Sequence, residues 1–191
     1  MLAAGVAQAQ TDGKPQDPAA TGPLIQLEKA YADFPVDVPT AGKQLKLNGS
    51  ALCEWGVLGF DLYRGALYAE RPSKDANALM TVDQTLMVYL YFVRSLSSSQ
   101  LQDAFRASAH YQVGKESPLE SQLQTLLGWM RDVKKGDALA FVASPQGALK
   151  GFYNGQPLGT IESPDFTKLF VKLYLGNKPP TEALKKGMLG A

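Results

Sequence analysis

Residues 85–94 read TLMVYLYFVR, and no other stretch narrows the fold as much. The segment is rich in β-branched, aromatic and long apolar side chains and holds no Gly or Pro, which makes it a strand. Side chains alternate across a strand, so Leu86, Val88, Leu90 and Phe92 share one face, and Met87, Tyr89, Tyr91 and Val93 the other. Both faces are apolar. A half-solvated strand would carry polar residues on one side, so this one belongs inside a sheet that is covered on both sides. The second face also carries two phenol hydroxyls. Either these tyrosines reach water at an edge of the sheet, or they form an amphipathic wall of a pocket.

The rest of the chain supplies the sheet and its cover. Residues 36–39 read extended, and residues 24–32 read as a short helix or an entry segment. Residues 44–55 form a first long strand with a turn or bulge at Asn48-Gly49, and 57–69 a second, rich in aromatics. A loop follows at 71–75. Ser97 with Gln100 opens a helix through a capping box and buries Leu101, Ala104 and Phe105. Ser117-Pro118-Leu119-Glu120 reads as a second capping box, ahead of Leu123, Leu126, Leu127 and Met130 at helical spacing. Strands at 138–143 and 148–153 flank the turn SPQG, and Asn154-Gly155 turns the chain into a strand at 158–161. Ser163 caps a third helix with Phe166, Leu169, Phe170 and Leu173 on one face and Gly176 at its close, and residues 181–189 form a last short helix. Strands, two helices, strands and helices in that order predict an α+β domain: an antiparallel sheet with helices packed on one face.

Counting residues excludes much chemistry. The 191 residues suit one domain, and the 45% hydrophobic fraction suits a packed core. A net charge of +1, without a long basic run, gives no electrostatic footprint for nucleic acid. One cysteine, Cys53, excludes an internal disulfide framework, and one histidine, His110, excludes a multi-histidine metal site. No metal and no cofactor is expected. No apolar run is long enough for a membrane span. The start, MLAAGVAQAQ, carries Ala7-Gln8-Ala9 before a polar residue, the small-residue pattern of a signal-peptidase site. The expected organisation is a signal-peptide stub and flexible leader over 1–35, cleaved after Ala9 in a periplasmic or secreted protein, and a folded domain over 36–191.

The remaining candidates for chemistry have ordinary readings. A nucleophilic Cys53 would need a base and an electropositive setting, and a lone cysteine is more often a buried packing residue. His110 stands near the end of its helix, where a cation suits the dipole. Asp61 and Arg64 fall on opposite faces of their strand and reach water at its ends. Arg94 ends its strand beside a cap and could pin an anion. The chain shows no P-loop, dinucleotide fingerprint, nucleophile elbow or paired-acid spacing.

The C-terminal half holds Gly136-Asp137, Asn154-Gly155, Gly159-Thr160-Ile161, Phe166, Leu175-Gly176, Pro180, Leu184-Lys185 and Leu189-Gly190 in succession. In that order and spacing it resembles the chalcone isomerase-like proteins of bacteria. LKLNGSAL and LYRGALYA resemble its two first long strands. The resemblance runs from about Val36 to Gly190. It implies a chalcone isomerase-like fold: a large antiparallel β-sheet with helices on one face, an open-faced β-sandwich with a cleft between the layers. It also implies a choice of functions, since some members close chalcones to flavanones and others bind fatty acids without chemistry.

By this resemblance Cys53 stands where the family's catalytic arginine sits, and a thiol cannot replace a bidentate guanidinium. Tyr63 stands where isomerases carry threonine and fatty-acid binders tyrosine. The isomerases' helix tyrosine and asparagine fall at about Leu101 and Ser108. Loss of an oxyanion donor costs about 10²–10³ in rate, whereas binding of an apolar ligand rests on buried area. The expectation is therefore a non-catalytic protein that binds a small hydrophobic ligand, such as a fatty acid, through Cys53, Tyr63, Tyr89, Tyr91, Leu101 and Ser108. The alternatives are an intramolecular lyase or isomerase that uses Tyr63 with Arg64 or Arg94, and a protein-interaction module with a filled core.

Overall fold

The computed structural model describes residues 22–23, 25, 33–55 and 59–191. Seven strands form one sheet: β1 (Asp37–Thr40), β2 (Lys43–Trp55), β3 (Phe60–Ala69), β4 (Leu86–Phe92), β5 (Ala138–Ala143), β6 (Ala148–Tyr153) and β7 (Gln156–Glu162). Each strand pairs antiparallel with the next in chain order, so the two-sided apolar strand β4 is the middle one. The helices are α1 (Ala76–Met80), α2 (Ser98–Val113), α3 (Glu120–Gly128), α4 (Pro164–Leu175) and α5 (Glu182–Met188). This is the expected α+β arrangement. Among the described residues no helix is long and apolar enough to cross a membrane.

The strand alternation of β4 divides the core in two. Val88, Leu90 and Phe92 pack into a large cluster with apolar residues of all five helices. Phe105 of α2, Phe141 of β5 and Phe170 of α4 join there, with Phe141 and Phe170 centroids 4.7 Å apart. Met87 and Tyr89 point the other way, into a smaller cluster with Ala138, Ala140 and Val142. Among the described residues no helix contributes to that cluster. Ile25 and Phe34, two residues of the expected leader, are buried in this cluster; residues 1–21, 24 and 26–32, and with them most of the expected helix or entry segment at 24–32, lie outside the described residues.

Local signals explain most boundaries. Ser97 and Gln100 form the capping box on α2, and Ser163 caps α4 with Pro164 at its first position. The Asn154-Gly155 turn has φ of 48° and 77°, the left-handed pair that a two-residue hairpin requires. Asp137 holds this hairpin: its carboxylate accepts from Tyr153 Oη at 2.8 Å, Asn154 Nδ2 at 2.9 Å and the Lys134 N–H at 2.7 Å. Burial pushes its pKa up, but those bonds outweigh burial and the net shift is down. One expectation differs, and one short helix joins the expected set. The Ser117 hydroxyl accepts from the Leu119 N–H at 3.2 Å, a local turn, so α3 begins at Glu120 without a capping box. The loop at 71–75 leads into α1, capped by Asp75.

The bulge lies at Asn48, where the β2–β3 register jumps from Leu47 to Gly49. Asn48 Nδ2 donates to Met188 O at 2.7 Å and to Ser73 O at 3.0 Å, which ties β2 to the end of α5. The backbones meet there so closely that a Cβ on Gly187 would overlap Ala51 and lie 2.8 Å from Ser50 O. The glycines of the LNG and KKGMLG segments therefore serve one contact.

Candidate functional site

A cavity of about 210 Å³ lies between the sheet and the helices. Cys53 of β2, Tyr63 of β3, and Leu90 and Phe92 of β4 form its sheet side. Leu101, Ala104, Phe105 and Ser108 of α2, with Leu173 and Tyr174 of α4, form its helix side. Glu54, Ala104 and Pro180 also line it and are exposed, so they mark its mouth.

Register brings the sheet residues together. Cys53 faces Tyr63 across the β2–β3 ladder, and Tyr63 faces Phe92 across β3–β4. Directly opposed residues of an antiparallel pair share a face. The Tyr63 and Phe92 rings meet edge-on, 5.9 Å apart. On the helix side, Phe170 and Tyr174 are one turn apart and their rings lie 5.7 Å from each other.

Three polar groups inside the cavity, Cys53, Tyr63 and Tyr174, are buried and neutral. Burial pushes the Cys53 thiol up; its contact with the Tyr63 hydroxyl pulls it back in part, and Glu54 adds to the rise. Burial raises Tyr63 well above the ordinary phenol value, with smaller contributions from Tyr174 and Cys53. Burial, and then Cys53, raises Tyr174 in the same direction. At neutral pH these three groups keep their protons. They can donate hydrogen bonds, but none supplies a charge or a ready base.

Four of the six expected site residues, Cys53, Tyr63, Leu101 and Ser108, line this cavity. Tyr89 and Tyr91 do not, and the expectation that they wall it is corrected. Alternation along β4 gives the cavity Leu90 and Phe92 and turns the odd-numbered residues to the opposite face. There Tyr89 Oη accepts from the Ile25 N–H at 3.0 Å and donates to Ile25 O at 3.2 Å, and Tyr91 packs at the edge of the same cluster. Tyr68 donates to Pro35 O at 2.9 Å on that side. These phenols do not border the pocket; Tyr89 and Tyr68 are buried and anchor the N-terminal chain, and Tyr91 is half-buried on the central strand.

The other candidates are placed as follows. His110 Nε2 lies 3.0 Å from Glu120 Oε2, which links α2 to α3 away from the cavity. The Arg64 guanidinium lies 4.7 Å over the Phe34 ring, and that of Arg94 5.3 Å over Phe60. Among the described residues no group of three or more His, Cys, Asp or Glu could hold a metal ion. Tyr174, Phe92 and Glu54 were missed by sequence reasoning. Tyr174 carried a signal, since it follows Phe166 and Phe170 at helical spacing; Phe92 needed the strand register.

The chalcone isomerase-like family profile matches residues 26–190. A comparison with curated proteins found no match. Among solved structures, the chain is similar to a fatty-acid binding protein of Arabidopsis thaliana, at 17% identity and a TM-score of 0.68, over 86% of this chain and 95% of that one. At this identity the likeness is one of fold, and it agrees with the antiparallel sheet and helix layer described above.

Proposed function

The chain belongs to the chalcone isomerase-like family, and on that premise we propose that it binds a small hydrophobic ligand, such as a fatty acid, in the cavity between sheet and helices, without catalysis. The observation that carries this reading is the cavity lining: apolar side chains around a thiol and two phenols, with Cys53 where the resemblance places an arginine. Ring closure of a chalcone is favoured by a cationic oxyanion donor and by a group that takes the proton of the substrate phenol. The three neutral groups, held protonated by burial, supply neither. Apolar burial needs no such group. The Arabidopsis protein, which binds a fatty acid by its description, supports the same class of ligand.

Size narrows the class. The cavity is smaller than the roughly 300–1,000 Å³ of pockets that enclose a drug-sized molecule. It takes a short chain, or the first part of a longer one that continues past Glu54 and Pro180. The test is mass spectrometry of an organic extract of the purified protein, beside a mock purification and the Ala104→Trp variant. Ala104 is exposed at the mouth, so a tryptophan there obstructs entry and leaves the core intact. A lipid near equimolar in the wild type and depleted in the variant is expected. A cavity that takes up no hydrophobic compound in direct titration would sink the proposal.

Export belongs to the same proposal. The Ala7-Gln8-Ala9 pattern supports a periplasmic or secreted protein of bacterial type, cleaved after Ala9. The mass of the mature N-terminus in a bacterial host tests it, with Gln10 as the expected first residue.

A further inference from the structure

The charges around the cavity bear on which hydrophobic ligand enters it. Among the described residues that line it, one is charged: Glu54, exposed at the mouth. The nearby basic side chains are engaged elsewhere. Arg64 follows Tyr63 in β3 but stacks on Phe34 across the sheet, 4.7 Å from its centroid. Arg94 lies over Phe60 at 5.3 Å, and Arg106 pairs with Asp103 at 2.9 Å. Lys185 donates to Gly176 O at 2.8 Å, and Lys178 lies over Tyr111 at 5.2 Å.

A carboxylate that entered this cavity would leave water without meeting a counter-charge, and it would pass a like charge on the way in. An uncharged polar head loses far less hydration. Its oxygen can accept from the hydroxyls of Tyr63, Tyr174 or Ser108, all of which line the space. Burial keeps both phenols in the donor form. We infer that the cavity selects an uncharged single-chain amphiphile, of the fatty alcohol, aldehyde or ester class, over a fatty-acid carboxylate. This rests on the proposal that the cavity binds a hydrophobic ligand, and it assigns that ligand's head group.

Calorimetric titration at pH 7.5 with 1-decanol, methyl decanoate and sodium decanoate, each below its aggregation limit, tests the inference. The three share a chain, so differences report on the head. Decanol and the ester are expected to bind at least about tenfold more tightly than decanoate. Glu54→Lys, at an exposed strand end, is expected to raise decanoate affinity relative to decanol several-fold, because it places a cation at the mouth. Decanoate that binds the wild type as tightly as decanol overturns the head-group assignment and leaves hydrophobic binding standing. Binding by none of the three overturns the assignment together with the reading beneath it.

Discussion

Tyr63, Tyr174 and Cys53 meet inside the cavity although they come from two strands and a helix far apart in the chain. A phenol that donates to a ligand head contributes about 0.5–1.5 kcal/mol of net binding. Tyr174→Phe should therefore weaken an alcohol or ester by about three- to tenfold, with little change in unfolding midpoint; calorimetry and urea denaturation read the two quantities separately. Tyr89 gives a prediction of a different kind. Burial pushes its pKa up to about 12, against a lowering by the Ile25 backbone bond and a small rise from Tyr91. The folded value lies above the unfolded value near 10, so the native state holds the proton more tightly. The associated stability, about 2–3 kcal/mol, is fully present below pH 10 and is lost as pH rises towards 12. Phenylalanine has no proton to lose. Tyr89→Phe should cost about 1 kcal/mol at pH 7 for the lost bonds and should then show a shallower alkaline decline. The decline will not vanish, because Tyr63, Tyr68 and Tyr174 are shifted in the same direction. Urea midpoints between pH 7 and 12 measure it.

Among the elements, α5 and β2 depend most on one close approach. Gly49 and Gly187 let the two backbones touch where the Asn48 bulge bends the strand. Gly187→Ala must part α5 from β2 or strain one of them, because the new methyl group would overlap Ala51. Overpacking of this kind costs about 1–3 kcal/mol. An unchanged urea midpoint for Gly187→Ala would mean that α5 does not hold this position in solution. Most elements were legible in the sequence for physical reasons. The Ser97–Gln100 box and the Ser163-Pro164 start are local donor–acceptor pairs, and Asn154-Gly155 is a local backbone preference. The Ser117 box failed because its hydroxyl had a nearer partner, the Leu119 N–H, and α1 escaped notice because five residues show no helical period.

At the scale of the whole molecule, the sheet needs cover on two faces, and the helices among the described residues pack on one. The N-terminal chain supplies part of the rest: Ile25 is buried, its backbone bonds Tyr89 twice, and the Gly22 N–H donates to Gly155 O at 2.8 Å. One buried isoleucine and three hydrogen bonds amount to about 3–5 kcal/mol. Deletion of residues 1–25 should lower Tm by roughly 6–20 °C for a chain of this size. An unchanged melting curve would show that this chain adds nothing to the cover.

The sequence by itself determined that β4 is central and dry on both sides, because alternation and apolarity are properties of a single strand. It also placed a thiol, Cys53, where the resemblance expects a guanidinium. Which face of β4 carries the cavity was decided only in the tertiary structure. The face depends on β-pairing register and on where α2 and α4 lie, and both arise from contacts between distant segments. So the two faces of β4, nearly equal in composition, took different tasks: one packs against helices around a cavity, and the other holds the start of the chain.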